Sequence, residues 1–166
     1  NKPTLSDIYN VYFAEFLETF SMTAIPDYLP HTFFIEGGGL AVENALKVAF
    51  DWKVRKNISN GKGEKGSKII HFNQAFHGRT GYTLSLTNTT DPRKTMYFPK
   101  FDWPRINNPK VTFPITDDVL EEVKKNEKLS VDQIKTAITN NRDEIAALII
   151  EPIQGEGGDN HFRDEF

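Results

Sequence analysis

The sequence contains no cysteine among its 166 residues. This absence excludes disulfide frameworks, thiolate zinc sites and cysteine nucleophiles together. The histidines are also few, and they are scattered without the helical or hairpin spacing of a metal-binding pair. No metal site is therefore expected at any of the four: His31, His71, His77 and His161.

Long apolar runs and a surplus of basic residues are missing as well. Because no apolar stretch approaches 18 residues and no charged, apolar leader opens the chain, we expect a cytoplasmic protein without a membrane span. Twenty basic and 23 acidic residues are spread along the chain, which leaves no basic stripe for nucleic acid. The composition that remains, 38% hydrophobic and 12% aromatic, is that of an ordinary soluble globular protein, and we expect one α/β domain.

Helical spacing of apolar residues recurs along the chain. Within the first 20 residues it predicts an amphipathic helix with Ser6 as its N-cap. The most regular pattern runs from Leu40 to Lys56, where Glu43 and Lys47 are expected to pair on the wetter side. Two further helices are predicted over residues 117–126 and 131–141, the second with a capping box formed by Ser130 and Gln133.

Short apolar runs between these helices have the composition of strands. They cover residues 32–35, 69–72, 111–115 and 145–150. The last run is continuous, which is typical of a central parallel strand buried on both faces. Residues 57–67 are polar and predict a surface loop. Strands that alternate with helices predict a doubly wound α/β domain.

Three glycines between the first predicted strand and the helix from Leu40 form a candidate phosphate site. Glycine allows the backbone to approach a ligand, and the first amides of a helix point outward at the positive end of its dipole. An anion is expected at the amides of Gly38, Gly39 and Leu40. Neither the P-loop pattern nor the dinucleotide fingerprint is present, so a glycine-rich turn without a ligand remains the alternative.

Two further segments follow predicted strands, at the sheet edge where ligands collect. Phe76 and Arg79 offer an aromatic ring for stacking and a planar cation for a carboxylate. Core packing of Phe76 and a solvated Arg79 are the alternatives. Residues 151–158 place two carboxylates, an amide and three glycines after a strand, which is costly to organise without a ligand. A mobile turn with exposed acids is the alternative there.

Taken together and in this order, the three segments resemble the class III, or omega, aminotransferases. Residues 36–47 resemble the family's phosphate-cup segment, Phe76 to Arg79 its cofactor-stacking segment, and Glu151 to Gly158 its Glu-Pro-x-x-Gly-Glu-Gly segment. Three further stretches look like the lysine 6-aminotransferase branch: residues 50–53, 81–88 and 98–105. The resemblance implies that residues 1–166 are an incomplete large domain of a pyridoxal-phosphate (PLP) enzyme of fold type I, with a mostly parallel sheet flanked by helices.

The resemblance also implies pyridoxal 5'-phosphate as the cofactor. Gly38 and Gly39 would bind its phosphate, Phe76 would stack on its ring, and Glu151 would lie beside it. Arg79 would hold the α-carboxylate of the substrate lysine. Glu156 resembles a switch glutamate that pairs with an arginine outside this sequence while lysine is bound and releases it for 2-oxoglutarate.

The implied reaction moves the ε-amino group of L-lysine to 2-oxoglutarate, giving 2-aminoadipate 6-semialdehyde and glutamate, in a homodimer. The resemblance implies that the family's Schiff-base lysine lies beyond Phe166. Lys47, Lys53 and Lys100 do not match its motif. The 166-residue chain alone is expected to be inactive. Two alternatives stay open: another omega-aminotransferase, acting on ornithine, 4-aminobutyrate or a diamine, and a non-catalytic α/β module that holds a phosphate ligand.

Overall fold

The computed structural model describes residues 9–166, and the chain divides into two compact units, Asn1–Phe34 and Ile35–Phe166. The first unit contains helix α1, Val11–Thr23. Its N-cap is Asn10, whose Oδ1 accepts a hydrogen bond from Phe13 N over 2.8 Å. The predicted N-cap, Ser6, lies outside the described residues.

No strand forms over residues 32–35, so that prediction is wrong. Phe34 instead packs its ring edge-on against three phenylalanines of α1: Phe13, Phe16 and Phe20, with ring centroids 6.0, 5.5 and 5.7 Å away. This edge-to-face arrangement is a favourable aromatic geometry. The run is apolar because it packs on a helix, and its composition alone does not distinguish that role from a strand.

The second unit is built on a parallel three-stranded sheet in the order β2-β1-β3, which confirms the α/β class. A separate antiparallel pair, β4-β5, follows it. The helices are α2 (Gly38–Ser59), α3 (Thr83–Leu86) and α4 (Asp117–Asn140), with a 3₁₀ turn at Pro92–Lys94. The strands are β1 (Lys68–Phe72), β2 (Arg105–Ile106), β3 (Ile145–Leu148), β4 (Ile153–Gln154) and β5 (Asn160–His161).

Strand β1 supplies side chains to two hydrophobic clusters. Ile69 packs with Leu46 of α2, whereas Ile70 and Phe72 pack with Ala137 of α4. Because successive side chains of a strand point to opposite faces, α2 and α4 cover opposite faces of the sheet. The carboxyl ends of the parallel strands are left to the loops that follow them.

Strand β3 occupies a different position from the one predicted. The parallel strand itself is confirmed, but β1 lies at the centre and β3 at an edge of the described sheet. Within residues 9–166 Leu148 is 42% exposed and Ile150 39%, so the predicted burial on both faces does not hold in the described part of the chain. A continuous apolar run indicates a strand, but it does not fix the position of that strand in the sheet.

The predicted break between two C-terminal helices does not exist. Residues 117–140 form the single helix α4. Ser130 and Gln133 are not a capping box, because Ser130 Oγ donates to Asn107 O over 3.0 Å and Gln133 Oε1 accepts from Asn107 N over 2.7 Å. Residues 111–115, also predicted as a strand, form none.

Helix α2 confirms the predicted helix over residues 40–56 and extends beyond both of its ends. The predicted exposed pair of Glu43 and Lys47 is wrong, because Glu43 is only 7% exposed. Its Oε1 accepts hydrogen bonds from Thr80 Oγ1 and Tyr82 N, each over 2.6 Å. Neither α2 nor any other helix within residues 9–166 is long and apolar enough to cross a membrane.

Candidate active site

The N-terminus of α2 is open to an anion. Gly37 is the N-cap and makes no side-chain hydrogen bond, and the first turn contains no acidic residue. Helical hydrogen bonding begins where Ala41 N donates to Gly37 O over 3.0 Å. The amides of Gly38, Gly39 and Leu40 therefore have no acceptor within the helix, and they lie at its positive end. The space beside Gly38 is also open, since a Cβ there would meet no atom within 4 Å.

The loop that follows β1 lies directly against this end of α2. A Cβ at Gly78 would stand 2.9 Å from Gly39 Cα and 2.8 Å from Thr83 Oγ1, so only glycine fits at this crossing. Thr80 Oγ1 lies 3.5 Å from Gly39 O. Thr87 Oγ1 donates to Gly78 O over 2.6 Å and fixes the loop from the other side. The first two predicted segments are thus in contact.

Glu151 brings the third segment to the same loop. Its Oε1 accepts a hydrogen bond from Phe76 N over 3.0 Å, and its Oε2 is buried without a partner among residues 9–166. Burial raises the pKa of the Glu151 carboxyl, while the bond from the Phe76 amide lowers it and the charge of Glu156 raises it. A buried oxygen without a donor is costly, and it marks a place where a ligand can supply one.

Four amide side chains join this third segment to the end of β1, and of these only Gln154 was singled out in the sequence. Gln154 is fully buried, and its Oε1 accepts from Asn108 Nδ2 over 2.7 Å and from Asn160 Nδ2 over 3.0 Å. Asn108 Nδ2 also donates to Gln74 Oε1 over 2.7 Å. Gly157 packs so closely on Gln74 O that a Cβ would overlap it. Gln74, Asn108 and Gln154 are far apart in the sequence, so no local spacing indicated the cluster.

The two predicted substrate residues have different surroundings. Arg79 is exposed, and its guanidinium makes no hydrogen bond or ion pair within the described part of the chain. Glu156 accepts from Lys94 Nζ over 2.7 Å and from Thr89 Oγ1 over 2.5 Å. These two bonds lower the pKa of Glu156. Arg79 is therefore available to an external carboxylate, whereas Glu156 is already held by a lysine that sequence analysis missed.

The structure thus gathers the predicted residues along the carboxyl ends of β1 and β3. Contacts connect Gly39 with the Gly78 turn and Phe76 with Glu151. Phe76 is partly buried. A helix end for an anion, an aromatic ring and a buried carboxylate can together hold a phosphate-bearing aromatic molecule. No group of three or more metal-binding side chains occurs in residues 9–166.

Comparison with known proteins identifies the family. The model of the class-III aminotransferases matches residues 8–166. L-lysine-epsilon aminotransferase from Mycobacterium bovis is 50% identical over 167 residues, which cover 100% of this chain and 36% of that protein. The solved structure of lysine aminotransferase from M. tuberculosis is 49% identical, with a TM-score of 0.92, over 99% of this chain and 37% of that one. Human mitochondrial 4-aminobutyrate aminotransferase is 29% identical over 184 residues, covering 100% of this chain and 36% of that protein. The chain spans little more than a third of these proteins, and it belongs to the class-III aminotransferases.

Proposed function

We propose that the protein containing this chain is a PLP-dependent aminotransferase that moves the ε-amino group of L-lysine to 2-oxoglutarate. The products would be 2-aminoadipate 6-semialdehyde and glutamate. The observation that carries the proposal is 50% identity to a lysine-epsilon aminotransferase over the whole chain, against 29% to a 4-aminobutyrate aminotransferase. We further propose that the complete protein acts as a homodimer in the cytoplasm.

The candidate site fits PLP. The amides at the start of α2 suit a phosphate, and the orphaned Oε2 of Glu151 suits a polar group of a bound ligand. PLP, when bound, supplies an electron sink for the carbon that loses its proton. Gly38 and Gly39 would bind the phosphate through their amides. Phe76 would stack on the ring and keep water from one of its faces.

Glu151 would act beside the cofactor as a group that holds a proton. Because burial raises its pKa, its carboxyl keeps a proton at a higher pH than an exposed glutamate does. The amide of Phe76 holds Oε1, so the orientation of the carboxyl is fixed and Oε2 is the oxygen left for the ligand. The residue would then donate to, or accept from, a polar group of the cofactor at Oε2.

Arg79 would select lysine by binding its α-carboxylate. A planar guanidinium forms bidentate hydrogen bonds with a carboxylate, and no group in residues 9–166 competes for it. Binding the α end in this way leaves the ε-amine for the reaction. Glu156, held by Lys94 and Thr89, would pair with an arginine elsewhere in the complete protein while lysine is bound.

The proposal is tested with the full-length protein, supplied with PLP and 2-oxoglutarate. Lysine, ornithine, 4-aminobutyrate and 1,5-diaminopentane are compared by kcat/KM for glutamate formation. We expect lysine to be the best substrate, because only lysine has both an α-carboxylate and an amine at carbon six. A preference for another amine would establish a different omega-aminotransferase. PLP binding without turnover of any amine would establish the non-catalytic module.

Replacement of Arg79 tests its role separately. In Arg79→Lys the charge remains but the bidentate geometry is lost, so we expect KM for lysine to rise about 30-fold, equivalent to about 2 kcal/mol. The PLP dissociation constant should not change. Arg55→Lys is the matched control, because Arg55 is an exposed arginine of α2 that pairs with Asp51. A KM for lysine that Arg79→Lys leaves unaltered would contradict the assignment.

A further inference from the structure

We propose that Glu43 is a positioning residue for the candidate site. It would tie the anion-binding end of α2 to the loop that carries Phe76 and Arg79, and so fix the distance between the cofactor's phosphate and the substrate's carboxylate. The inference rests on the proposed function, because such a distance matters only if both ligands bind here. Nothing in the sequence pattern indicated it, since Glu43 was expected on an exposed face.

The contacts of Glu43 reach across the site. Glu43 lies four residues after Gly39, so the two share one face of α2, a turn apart. Its carboxylate is buried, and Oε1 accepts from Thr80 Oγ1 and Tyr82 N, each over 2.6 Å. One oxygen therefore binds the Thr80 hydroxyl before Gly81 and the Tyr82 amide after it.

The Thr80 hydroxyl that donates to Glu43 also lies against the N-terminus of α2, where the phosphate is proposed to bind. Thr80 Oγ1 lies 3.5 Å from Gly39 O, and the Thr80 methyl would be 3.2 Å from a Cβ at Gly39. Thr80 N donates to Thr83 Oγ1 over 3.0 Å, and the two hydroxyl oxygens are 2.9 Å apart. Because the single proton of the Thr80 hydroxyl goes to Glu43, Thr83 is the donor between the hydroxyls.

These bonds place the loop without touching a ligand. Arg79 immediately precedes Thr80, so a displaced Thr80 displaces the guanidinium with it. A misplacement of about 1 Å costs on the order of 100-fold in an enzyme reaction. A buried carboxylate is costly unless hydrogen-bond donors satisfy it. The formation of helix α2 does not itself require a carboxylate at position 43. The partners of this one lie in the loop, which is why we assign it to the site.

The test uses the full-length protein and its Glu43→Leu, Glu43→Gln and Thr80→Val variants. Glu43→Leu removes both acceptor bonds, and we expect the PLP dissociation constant and KM for lysine each to rise about tenfold. Glu43→Gln keeps an acceptor oxygen, and we expect both values within about threefold of the wild type. Thr80→Val removes one of the two bonds to Glu43 and leaves the bond from Tyr82 N, so we expect a smaller rise in both values than in Glu43→Leu. The double variant should be no worse than Glu43→Leu, because Glu43→Leu already breaks the bond that Thr80→Val removes.

Melting temperatures separate positioning from plain stability. A merely structural Glu43 would lower the melting temperatures of the apoprotein and the PLP-bound protein equally, whereas a positioning residue narrows the gap between them. Asp51→Leu is the matched control, because Asp51 is an exposed carboxylate on the same helix. It should leave PLP binding and KM unchanged.

Wild-type PLP binding and KM in Glu43→Leu would overturn the inference. If Glu43→Leu does not fold, Thr80→Val still breaks the bond between Thr80 and Glu43. Unchanged PLP binding and KM in Thr80→Val would then overturn the inference, because the inferred link from Glu43 to Gly39 and Arg79 runs through Thr80. These outcomes leave the proposed function standing. Failure of the wild-type protein to bind PLP contradicts the proposed function, and the inference with it.

Discussion

Helices α2 and α4 are of similar length, 22 and 24 residues, yet their N-termini differ. At α4, Thr116 Oγ1 accepts from Val119 N over 3.3 Å, and Asp117 and Asp118 place negative charge in the first turn. At α2 a glycine is the N-cap, without a side-chain bond, and the first turn contains no acid. Caps and first-turn acids stabilise a helix by up to about 1 kcal/mol each. Helix α4 satisfies its own positive end, whereas α2 leaves that end available to an external anion.

Making α2 resemble α4 should give the largest effect. In Gly38→Asp, a carboxylate enters the first turn, where the space is open. It should stabilise the apoprotein slightly but repel a phosphate bound to the same amides. Two like charges about 4 Å apart repel by about 4 kcal/mol near a protein surface, so we expect the PLP dissociation constant to rise roughly 1000-fold. An absorbance titration of the apoprotein measures it.

Val48→Asp is the control for that variant. Val48 is an exposed residue further along α2, so it receives the same charge away from the helix end. We expect its PLP dissociation constant to stay within about twofold of the wild type, because the dipole effect is confined to the first turn. Equal weakening in both variants would mean that net charge, rather than the open helix end, controls the affinity.

Acid should destabilise strand β1 and the loop that follows it, which contain two buried histidines. His71 Nδ1 lies 3.2 Å from Leu86 O at the end of α3, and burial lowers the pKa of both His71 and His77 to about 4. Between pH 6.5 and 4 the unfolded chain binds more protons at these histidines, so stability falls as the pH falls. From pH 7 to pH 5 we expect a loss of about 2 kcal/mol for each histidine.

Urea denaturation of the full-length protein at the two pH values measures this loss. The buried members of the cluster on the α4 face are Ile70, Phe72, Ile106 and Ala137, and none of them titrates. His71→Gln and His77→Gln should each reduce the loss. An undiminished loss in both variants would place the acid sensitivity elsewhere in the protein.

The smallest effect is expected from making α4 resemble α2. Thr116→Ala removes the N-cap of α4, and we expect the free energy of unfolding to decrease by about 1 kcal/mol. PLP affinity should not change, because this helix end is already occupied by its own residues. Thr136→Ala is a matched control, since Thr136 is an exposed threonine of the same helix whose hydroxyl donates to Asp132 O. A change in PLP affinity in Thr116→Ala would contradict the contrast between the two helices.

The sequence predicted the elements and residues whose signal is local. Helix α2, strand β1 and the parallel strand β3 follow from apolar spacing and composition. The structure also brings together the glycine turn, the Phe76 loop and Glu151 by direct contacts. Parallel strands end at a common edge, and for that reason segments that each follow a strand can be expected to meet.

The features that were missed depend on partners distant in the sequence. The Ser130 and Gln133 spacing matched a capping box, but both side chains bind Asn107 instead. The spacing of Glu43 and Lys47 matched a helical ion pair, but Glu43 binds the loop at Thr80. Each spacing allowed the predicted local interaction. In the structure, however, the polar side chain bonds to a residue distant in the sequence. The assigned roles of the six site residues, the homodimer and the cytoplasmic location stay predictions.

Isotope labelling tests most directly whether the ε-amino group of lysine is the one transferred to 2-oxoglutarate. The full-length protein with PLP and 2-oxoglutarate is given lysine labelled with ¹⁵N either at the ε-amine or at the α-amine, and the glutamate is analysed by mass spectrometry. We expect ¹⁵N-glutamate from the ε-labelled lysine alone, because Arg79 in the proposed role would hold the α end away from the reaction. Label from the α-amine, or glutamate without label from either lysine, would contradict this expectation.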